Sequence, residues 1–235
     1  MKVLTCSVKI LLKQISRDNM VGVLCVAPLL VALLFYFGIP ILSSLLENEY
    51  NFKDLSEYGR LFDLLLAVLT PYLFGFASAM VILGEIDEHI VPSFYASPLG
   101  RKGYLISRLL FPTIISILIT VLIISAFHLS DLGAVLLIVL SVLAAIVCLI
   151  PFLLIVTLAK NKVEGMALAK ISGLILIGLF IPFFITSNTQ YIFAFMPSFW
   201  LAKLIISSNY LYMIPTLICS FVWLWILYDK FCKKI

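Results

Sequence analysis

Six long apolar runs, at about 20–46, 61–84, 104–127, 132–158, 166–187 and 211–228, constrain this chain more than anything else in it. A helix needs roughly 20 apolar residues to cross the hydrocarbon core of a bilayer. The expected fold class is therefore an all-α polytopic membrane protein with six transmembrane helices. Only 12% of the 235 residues are charged. Soluble domains carry about 25%, so this chain has too little polar surface to stay in water. The first and fourth runs exceed the minimum span, which predicts tilt or projection from the bilayer. Pro28, Pro40, Pro71, Pro112, Pro151 and Pro182 all fall inside runs. Neighbouring helices must re-satisfy the backbone groups that these prolines free, which predicts a packed bundle rather than isolated anchors.

Charge placement sets the orientation. With both termini inside the cell, thirteen of the sixteen Lys and Arg residues lie on the cytoplasmic side, and only Lys53, Arg60 and Lys203 lie outside. The inverted topology would reverse a bias of about four to one, against the positive-inside rule. The net charge of +4 thus belongs to the flanks of the spans, and no nucleic-acid partner is expected. The apolar stretch 191–206, broken by Pro197 and Lys203, is too short and interrupted for a good span. It reads as an extracellular re-entrant or interfacial hairpin before the last span. A crossing there would move the basic C-terminal "DKFCKKI" to the side opposite the N-terminus.

Residues 1–17 carry Leu4, Val8, Leu11, Leu12 and Ile15 on one helical face, with Lys2, Lys9, Lys13, Ser16 and Arg17 largely away from it. A basic amphipathic helix of this kind lies in the membrane interface. The alternative is a positive flank that only orients the first span. Asp18 and Asn19 supply an N-cap for the first span. The N-terminus has no short apolar core with a small-residue cleavage site, so no cleaved signal peptide is expected.

"GEIDEHIVPSFYASPLGRKGYLISRL", 84–109, gathers acidic residues, two prolines and a basic pair between spans two and three. Ile86, Ile90 and Phe94 recur at helical spacing, so a short amphipathic helix is expected, kinked or restarted at Pro92. Pro98 and Gly100 end it, and Arg101 and Lys102 can meet lipid phosphates. Such a structured element suits docking into a groove on a soluble partner. The simpler reading is a loop resting on the headgroups.

Small residues mark where helices could touch. Ala67, Pro71, Gly75 and Ala79 recur every four positions in span two, as do Gly165, Ala169 and Gly173 at the start of span five. Faces of this kind allow close backbone approach in lipid. No internal repeat, soluble domain or low-complexity tract stands out.

The chemistry expected of the chain is sparse. It has no G-x-x-x-x-G-K-[ST] loop for ATP phosphates, no H-E-x-x-H and no G-x-S-x-G. His89 and His128 fall on opposite membrane faces and cannot share a metal. Cys6, Cys25, Cys148, Cys219 and Cys232 have no metal-ligand spacing and none falls in an extracellular segment, so neither a metal nor disulfides are expected. The spans carry almost no ionisable groups, which argues against coupling to an ion gradient. Ser78, Ser116, Thr120 and Ser172 could line a path, but more simply bond to carbonyls of their own helices.

Taken in order, these features resemble the ABC-2-type exporter permease family, of the drug- or peptide-export type. In that family an acidic residue ends span two, a short coupling helix comes next, and an S/T-P-L turn leads into a Y-L-x-x-[KR]-L start of span three. Glu85, Ser97-Pro98-Leu99, and Tyr104-Leu105 through Arg108-Leu109 match that order. "AKNKVEGMALAK", 159–170, is similar to the family's loop between spans four and five, and "FMPSFWLAKLI", 195–205, to its extracellular re-entrant element. The likeness runs the length of the chain. Pro92 departs from it, where the family often has a glycine-threonine pair.

The resemblance implies one transmembrane domain over 1–235 in a bacterial plasma membrane. It implies a coupling segment, 85–100, in which Glu85, Glu88, Ile90, Phe94, Pro98, Leu99 and the adjoining Arg101 engage an ABC ATPase. Two ATPase copies would be present, with a second permease copy or a homologous permease. ATP and Mg would sit on the ATPase, with no cofactor and no catalysis on this chain. Hydrophobic or amphipathic cargo, a drug or an antimicrobial peptide, is the expectation. A membrane immunity or sensor protein that binds a peptide is the alternative. An intramembrane enzyme is disfavoured by the lack of paired catalytic groups within the spans.

Overall fold

The computed structural model describes residues 2–50 and 58–234, with side chains over 5–45 and 58–231. Within those residues the chain is helical, with no strand. An amphipathic α1 (Lys2–Arg17) leads into α2 (Asn19–Tyr50). Then come α3 (Gly59–Asp87), the short α4 (Val91–Ala96) and α5 (Gly100–Phe127). The chain continues through α6 (Ala134–Leu158) and α7 (Lys162–Phe184). A short α8 (Pro197–Ser207) precedes α9 (Met213–Lys234). Six of these, α2, α3, α5, α6, α7 and α9, are long and apolar enough to cross a membrane. Lys2, Leu4, Lys53 and Cys232 lie outside the described side chains.

Two spans form the centre and four surround it. In α3 and α6, 72% and 67% of the apolar window is buried, against 17–28% in the others. Around α3 and α6 the packing divides into two layers. One contains Leu64, Ala67, Val68, Ile124, Leu140, Ala144, Leu201 and Ala202. The other, toward α1, contains Leu11, Ala79, Met80, Leu83, Leu153, Ile155, Val156 and Phe231. The outward faces of the peripheral spans carry Leu30, Leu34, Phe37, Leu118, Leu122, Phe221 and Trp225, all well exposed. A surface so apolar is stable only against lipid or another apolar partner.

The small residues of α3 and α7 sit where helices approach. A Cβ at Gly75 would lie 3.4 Å from the Cβ of Phe152 on α6, and Ala79 is fully buried. At Gly165 a Cβ would run into the side chains of Leu83 and Met80 on α3. Ala169 offers its carbonyl to the Tyr72 hydroxyl of α3 at 2.8 Å, and a Cβ at Gly173 would stand 3.7 Å from that hydroxyl. From Gly173 to Leu179, α7 tightens into a 3-10 helix. There the hydroxyl of Ser198 on α8 donates to the Ile175 carbonyl at 2.6 Å.

After α7 the chain turns back along the bundle. The carbonyls of Ala194 and Phe195 accept from Cys219 and from the Trp223 indole of α9. Those residues lie six and ten positions into that helix. The chain then reverses into α8. At 11 residues and about 1.5 Å per residue, α8 is too short to span a bilayer. The guanidinium of Arg60 donates to the carbonyls of Ile205 and Ile206 and so caps the C-terminus of α8, where a cation also complements the helix dipole. Ser208, at φ 50°, makes the turn toward α9.

Among the described residues the cysteines are free. Ser116, Thr120 and Ser172 bond to carbonyls of their own helices, as their type favours in apolar segments. The Ser78 hydroxyl instead donates to a carbonyl of α5.

Gly165→Leu should overpack the α3–α7 contact and lower stability by about 1–3 kcal/mol. Gly38→Leu, at a position with nothing within 4 Å of a new Cβ, should be nearly neutral. Thermal unfolding of both variants in detergent makes the comparison.

Candidate functional site

Arg108 lies eight residues into α5, with its side chain fully buried. A lone guanidinium inside an apolar bundle is strongly unfavourable unless every donor finds an acceptor. Here four elements surround it. On one side Nε and Nη2 donate to the Glu85 carboxylate of α3, at 3.2 and 2.5 Å. On the other side Nη1 donates to the Ser7 carbonyl of α1 at 3.0 Å, and Nη2 reaches the Gln14 amide oxygen at 3.5 Å. The Phe94 ring of α4 lies 5.4 Å from the guanidinium carbon, and the Tyr104 ring 5.7 Å from it. Tyr104 completes the set by donating its hydroxyl to Glu85 at 2.7 Å. Ser7 and Ser107 share a further hydrogen bond at 2.9 Å.

Local sequence explains why Arg108 can reach all of these. Pro112 has no N–H to return to the carbonyl four residues back, which is that of Arg108, and its ring would clash with that carbonyl in a regular α-helix. The chain responds with one π-helical stretch, Ile106–Leu110. Single π turns inside α-helices of this kind occur often at functional sites. The freed Arg108 carbonyl accepts from the Ser78 hydroxyl of α3. Pro112 thus sets the backbone that aims Arg108, and Ser78 repairs the resulting gap.

Glu85 is held as firmly from its own side. The helix α3 ends in a left-handed C-cap at His89, φ 55°. Ile90 N–H bonds to the Glu85 carbonyl and His89 N–H to the Ile86 carbonyl. Histidine replaces the usual glycine at this cap, against the steric preference of L-residues. The cap separates α3 from α4, so Ile86, Ile90 and Phe94 do not form the single amphipathic helix that their spacing predicts. Pro92 stands in the first turn of α4, where a missing N–H does no harm. Ser97 then makes the turn by bonding to the Phe94 carbonyl at 2.6 Å, and Gly100 takes a positive φ of 62°.

The residues expected to face a partner therefore separate. Glu85 is a correction: it is 1% exposed and turned inward to Arg108. Phe94 is half-buried against the guanidinium. Leu99 folds over the first turn of α5, where a Cβ at Gly103 would be 2.8 Å from its Cδ1. Glu88, Pro98 and Arg101 are exposed and Ile90 is partly covered. The open face of α4 is carried instead by Pro92, Ser93 and Ala96. A second correction concerns charge within the spans. Glu85, Arg108 and Asp63 are all buried there, each with partners. Asp63 accepts from the Leu129 and Ser130 amides at 2.9 and 2.8 Å and ties down the α5–α6 loop.

A second contact fastens the same end. Asp18 caps α2 through the Met20 amide at 3.0 Å and forms an ion pair with Lys162 at the start of α7. Lys162 N–H also bonds to Asp87 at 3.0 Å. The hydrogen bond from Lys162 holds the Asp18 carboxyl below its ordinary range, assisted by the amides of α2 and opposed by partial burial.

With this geometry in view, comparison with known proteins decides the family. Residues 11–228 match the family described as fluoroquinolones export permease protein Rv2686c-like. The chain belongs to this family. Two relatives are the fluoroquinolones export permease proteins MT2760 and Rv2686c, from Mycobacterium tuberculosis strains CDC 1551 / Oshkosh and ATCC 25618 / H37Rv. Each is 26% identical over 232 residues, covering 93% of this chain and 89% of its own length. No solved structure matches. The chain is thus a multi-pass permease of the ABC-2 exporter type, whose family works with an ABC ATPase.

Within this family member, the sequence pattern contains Tyr104 and Arg108 but gives them no role of their own. Their i, i+4 spacing and the placing of an arginine inside an apolar run are the available signals. Ser7 and Gln14 carry none, because nothing in a polar flank shows which residue meets a guanidinium 94 or more residues away.

Arg108→Gln strands the Glu85 carboxylate and should lower stability by about 3–5 kcal/mol. Arg108→Lys should recover little of it, because one ammonium cannot bridge Glu85 and Ser7. Melting curves of the three proteins in one detergent make the comparison. The Asp18–Lys162 tie behaves oppositely to a histidine switch. A carboxyl with a depressed pKa contributes fully at neutral pH, and the contribution is lost as pH falls through and below about 3.9, the ordinary aspartate value. Being partly exposed, the pair contributes at most about 1 kcal/mol. Protection factors of the amides at the α1–α2 junction, which allow for the intrinsic slowing of exchange in acid, should fall on acidification in the native protein, and Asp18→Asn should remove that fall.

Proposed function

We propose that this chain is the permease subunit of an ATP-driven exporter that moves an amphipathic drug out across a bacterial plasma membrane, with ATP hydrolysed on separate ABC ATPase subunits. The observation that carries the reading is the Arg108 node. It joins a short helix with an open face, α4, to α1, to the end of α3 and to α5 through one buried cation. A push on α4 is therefore transmitted to three longer helices, which is what a subunit driven from outside the bilayer requires. Fluoroquinolones, named for the relatives, are the first cargo to test.

In this reading the α1 end faces the cytoplasm, where the excess of Lys and Arg belongs, and α1 lies at the membrane surface. Two ATPase copies, carrying ATP and Mg, seat against the α4 faces of two permease chains, of one kind or of two related kinds. The chain itself has no catalytic role. The segment 185–207 is a re-entrant hairpin entered from outside, its tip beside Cys219 and Trp223 and its return helix α8 capped by Arg60. The lipid-facing flanks of α2, α5, α7 and α9 leave ample apolar surface for a second permease copy.

Inverted vesicles containing permease and ATPase should accumulate a fluoroquinolone when given ATP, and vesicles lacking either subunit should not. Ala96→Glu places a charge on the open face of α4 without touching the Arg108 node. Transport should fall by at least about 10-fold, the effect of one disrupted contact at the heart of an interface, while the melting temperature is unchanged. Undiminished transport in that variant would remove α4 from the coupling path.

A further inference from the structure

A cavity of about 620 Å³ opens at the α1 end, between the α1–α2 junction, the last turns of α3 and the start of α7. Its size is that of a pocket for a drug-sized molecule. Its lining is of two kinds. Its apolar lining comes from Met20 and Val21 on α2 and Met80 and Val81 on α3, of which Met20 is exposed and the other three are packed into the bundle. Its charged lining comes from Arg17, Asp18, Lys162 and Glu88, with the buried carboxylate of Glu85 behind them.

Most of that charge is already matched. Glu85 belongs to Arg108, and Asp18 to Lys162. Two groups remain with no hydrogen bond or ion pair to another described residue: the guanidinium of Arg17, at the end of α1, and the carboxylate of Glu88, at the end of α3. Among the described residues the cavity therefore presents one free cation and one free anion, from different elements, beside the exposed and adaptable side chain of Met20.

Resting on the export reading above, we infer that this cavity is a cytoplasmic-side binding site for a zwitterionic amphiphile. Arg17 takes its carboxylate, Glu88 takes its amine, and Met20, over the packed edges of Val21, Met80 and Val81, takes its ring body. A purely cationic or purely anionic molecule would leave one of the two charges unmatched. A site with one of each discriminates in favour of a molecule bearing both. The pairings are charge-assisted and, for a planar carboxylate on arginine, able to be bidentate. A phospholipid headgroup with an amine and a phosphate shares part of this chemistry. The volume of about 620 Å³ suits a drug-sized body, whereas the two acyl chains behind a headgroup must leave for the bilayer. The site also borders the Arg108 node through Glu85 and Gln14, so occupancy would be felt by the elements that α4 moves.

The test uses norfloxacin, whose carboxylate and ring amine are both charged near neutral pH. Its ethyl ester lacks the anion and its N-acetyl derivative lacks the cation. Equilibrium binding to the permease–ATPase complex in nanodiscs, without ATP, is read from the drug's fluorescence. Arg17→Gln and Glu88→Gln should each weaken norfloxacin about 10-fold, the worth of one hydrogen bond to a charged group. Arg17→Gln should leave the ester's affinity unchanged, and Glu88→Gln that of the N-acetyl derivative. Unaltered norfloxacin binding in both variants would overturn the site while leaving export intact. So would binding by the native protein that appears only when phosphatidylethanolamine is omitted from the nanodiscs, which assigns the cavity to a lipid headgroup. ATP-driven norfloxacin uptake into inverted vesicles is read in parallel. Uptake with no variant-sensitive binding refutes the site alone, and absence of uptake by the native complex refutes the export reading.

Discussion

One buried guanidinium organises the α1 end of the molecule. Taking a charge out of water is recovered only by an opposite charge in good geometry and by hydrogen bonds to the remaining donors. Arg108 obtains both, but from residues that lie 23 to 101 positions away in the chain. The positions of α1, α4 and the end of α3 are therefore mutually dependent. None can move far without stranding either the arginine or Glu85. Breaking either partner leaves an unpaired charge in an apolar site, which is why the cluster behaves as a joint and not as a set of separate contacts.

The rest of the bundle is consistent with such a joint. The central pair, α3 and α6, is packed by small residues and aliphatic layers that have no reason to rearrange. Glu85 is fixed to the end of α3, so in the proposed function a displacement received by α4 would pass into the most buried span of the fold. Around it, α2, α5, α7 and α9 turn apolar faces outward. In α7 the 3-10 stretch Gly173–Leu179 and the neighbouring α8 meet through a side-chain hydrogen bond from Ser198 to Ile175. The ends of the bundle are thus tied by polar contacts, Arg108 and Asp18–Lys162 at one and Asp63 and Arg60 at the other, while the middle is held by packing.

The six spans are legible in the sequence because length and apolarity alone decide them, and no long-range contact is needed. The start of α4 at Pro92 and the turn at Ser97–Gly100 are legible because proline and glycine act locally. The break at His89 is not, because a histidine in a left-handed cap has no sequence signature and Ile86, Ile90 and Phe94 keep helical spacing across it. Glu85 is visible as a charge at the end of a span, yet the sequence points it the wrong way, toward a partner. Whether such a carboxylate faces water or a buried arginine depends on which helix lies beside it. Ser7 looks like an incidental polar residue on an amphipathic helix, and only the Arg108 side chain gives its place on the inward face a reason. Family membership, established over residues 11–228, agrees with the overall reading but does not by itself locate this cluster.

If the Arg108 cluster is a joint, α1 and α4 should move as one body. Spin labels at Lys13→Cys and Ser93→Cys, in a chain whose own cysteines are replaced by alanine, measure the α1–α4 distance in the permease–ATPase complex. A narrow distance distribution that is the same with and without ATP, and that broadens in Arg108→Gln, is the predicted result. A distance that changes with ATP in the native complex, or that is indifferent to the loss of Arg108, would contradict it.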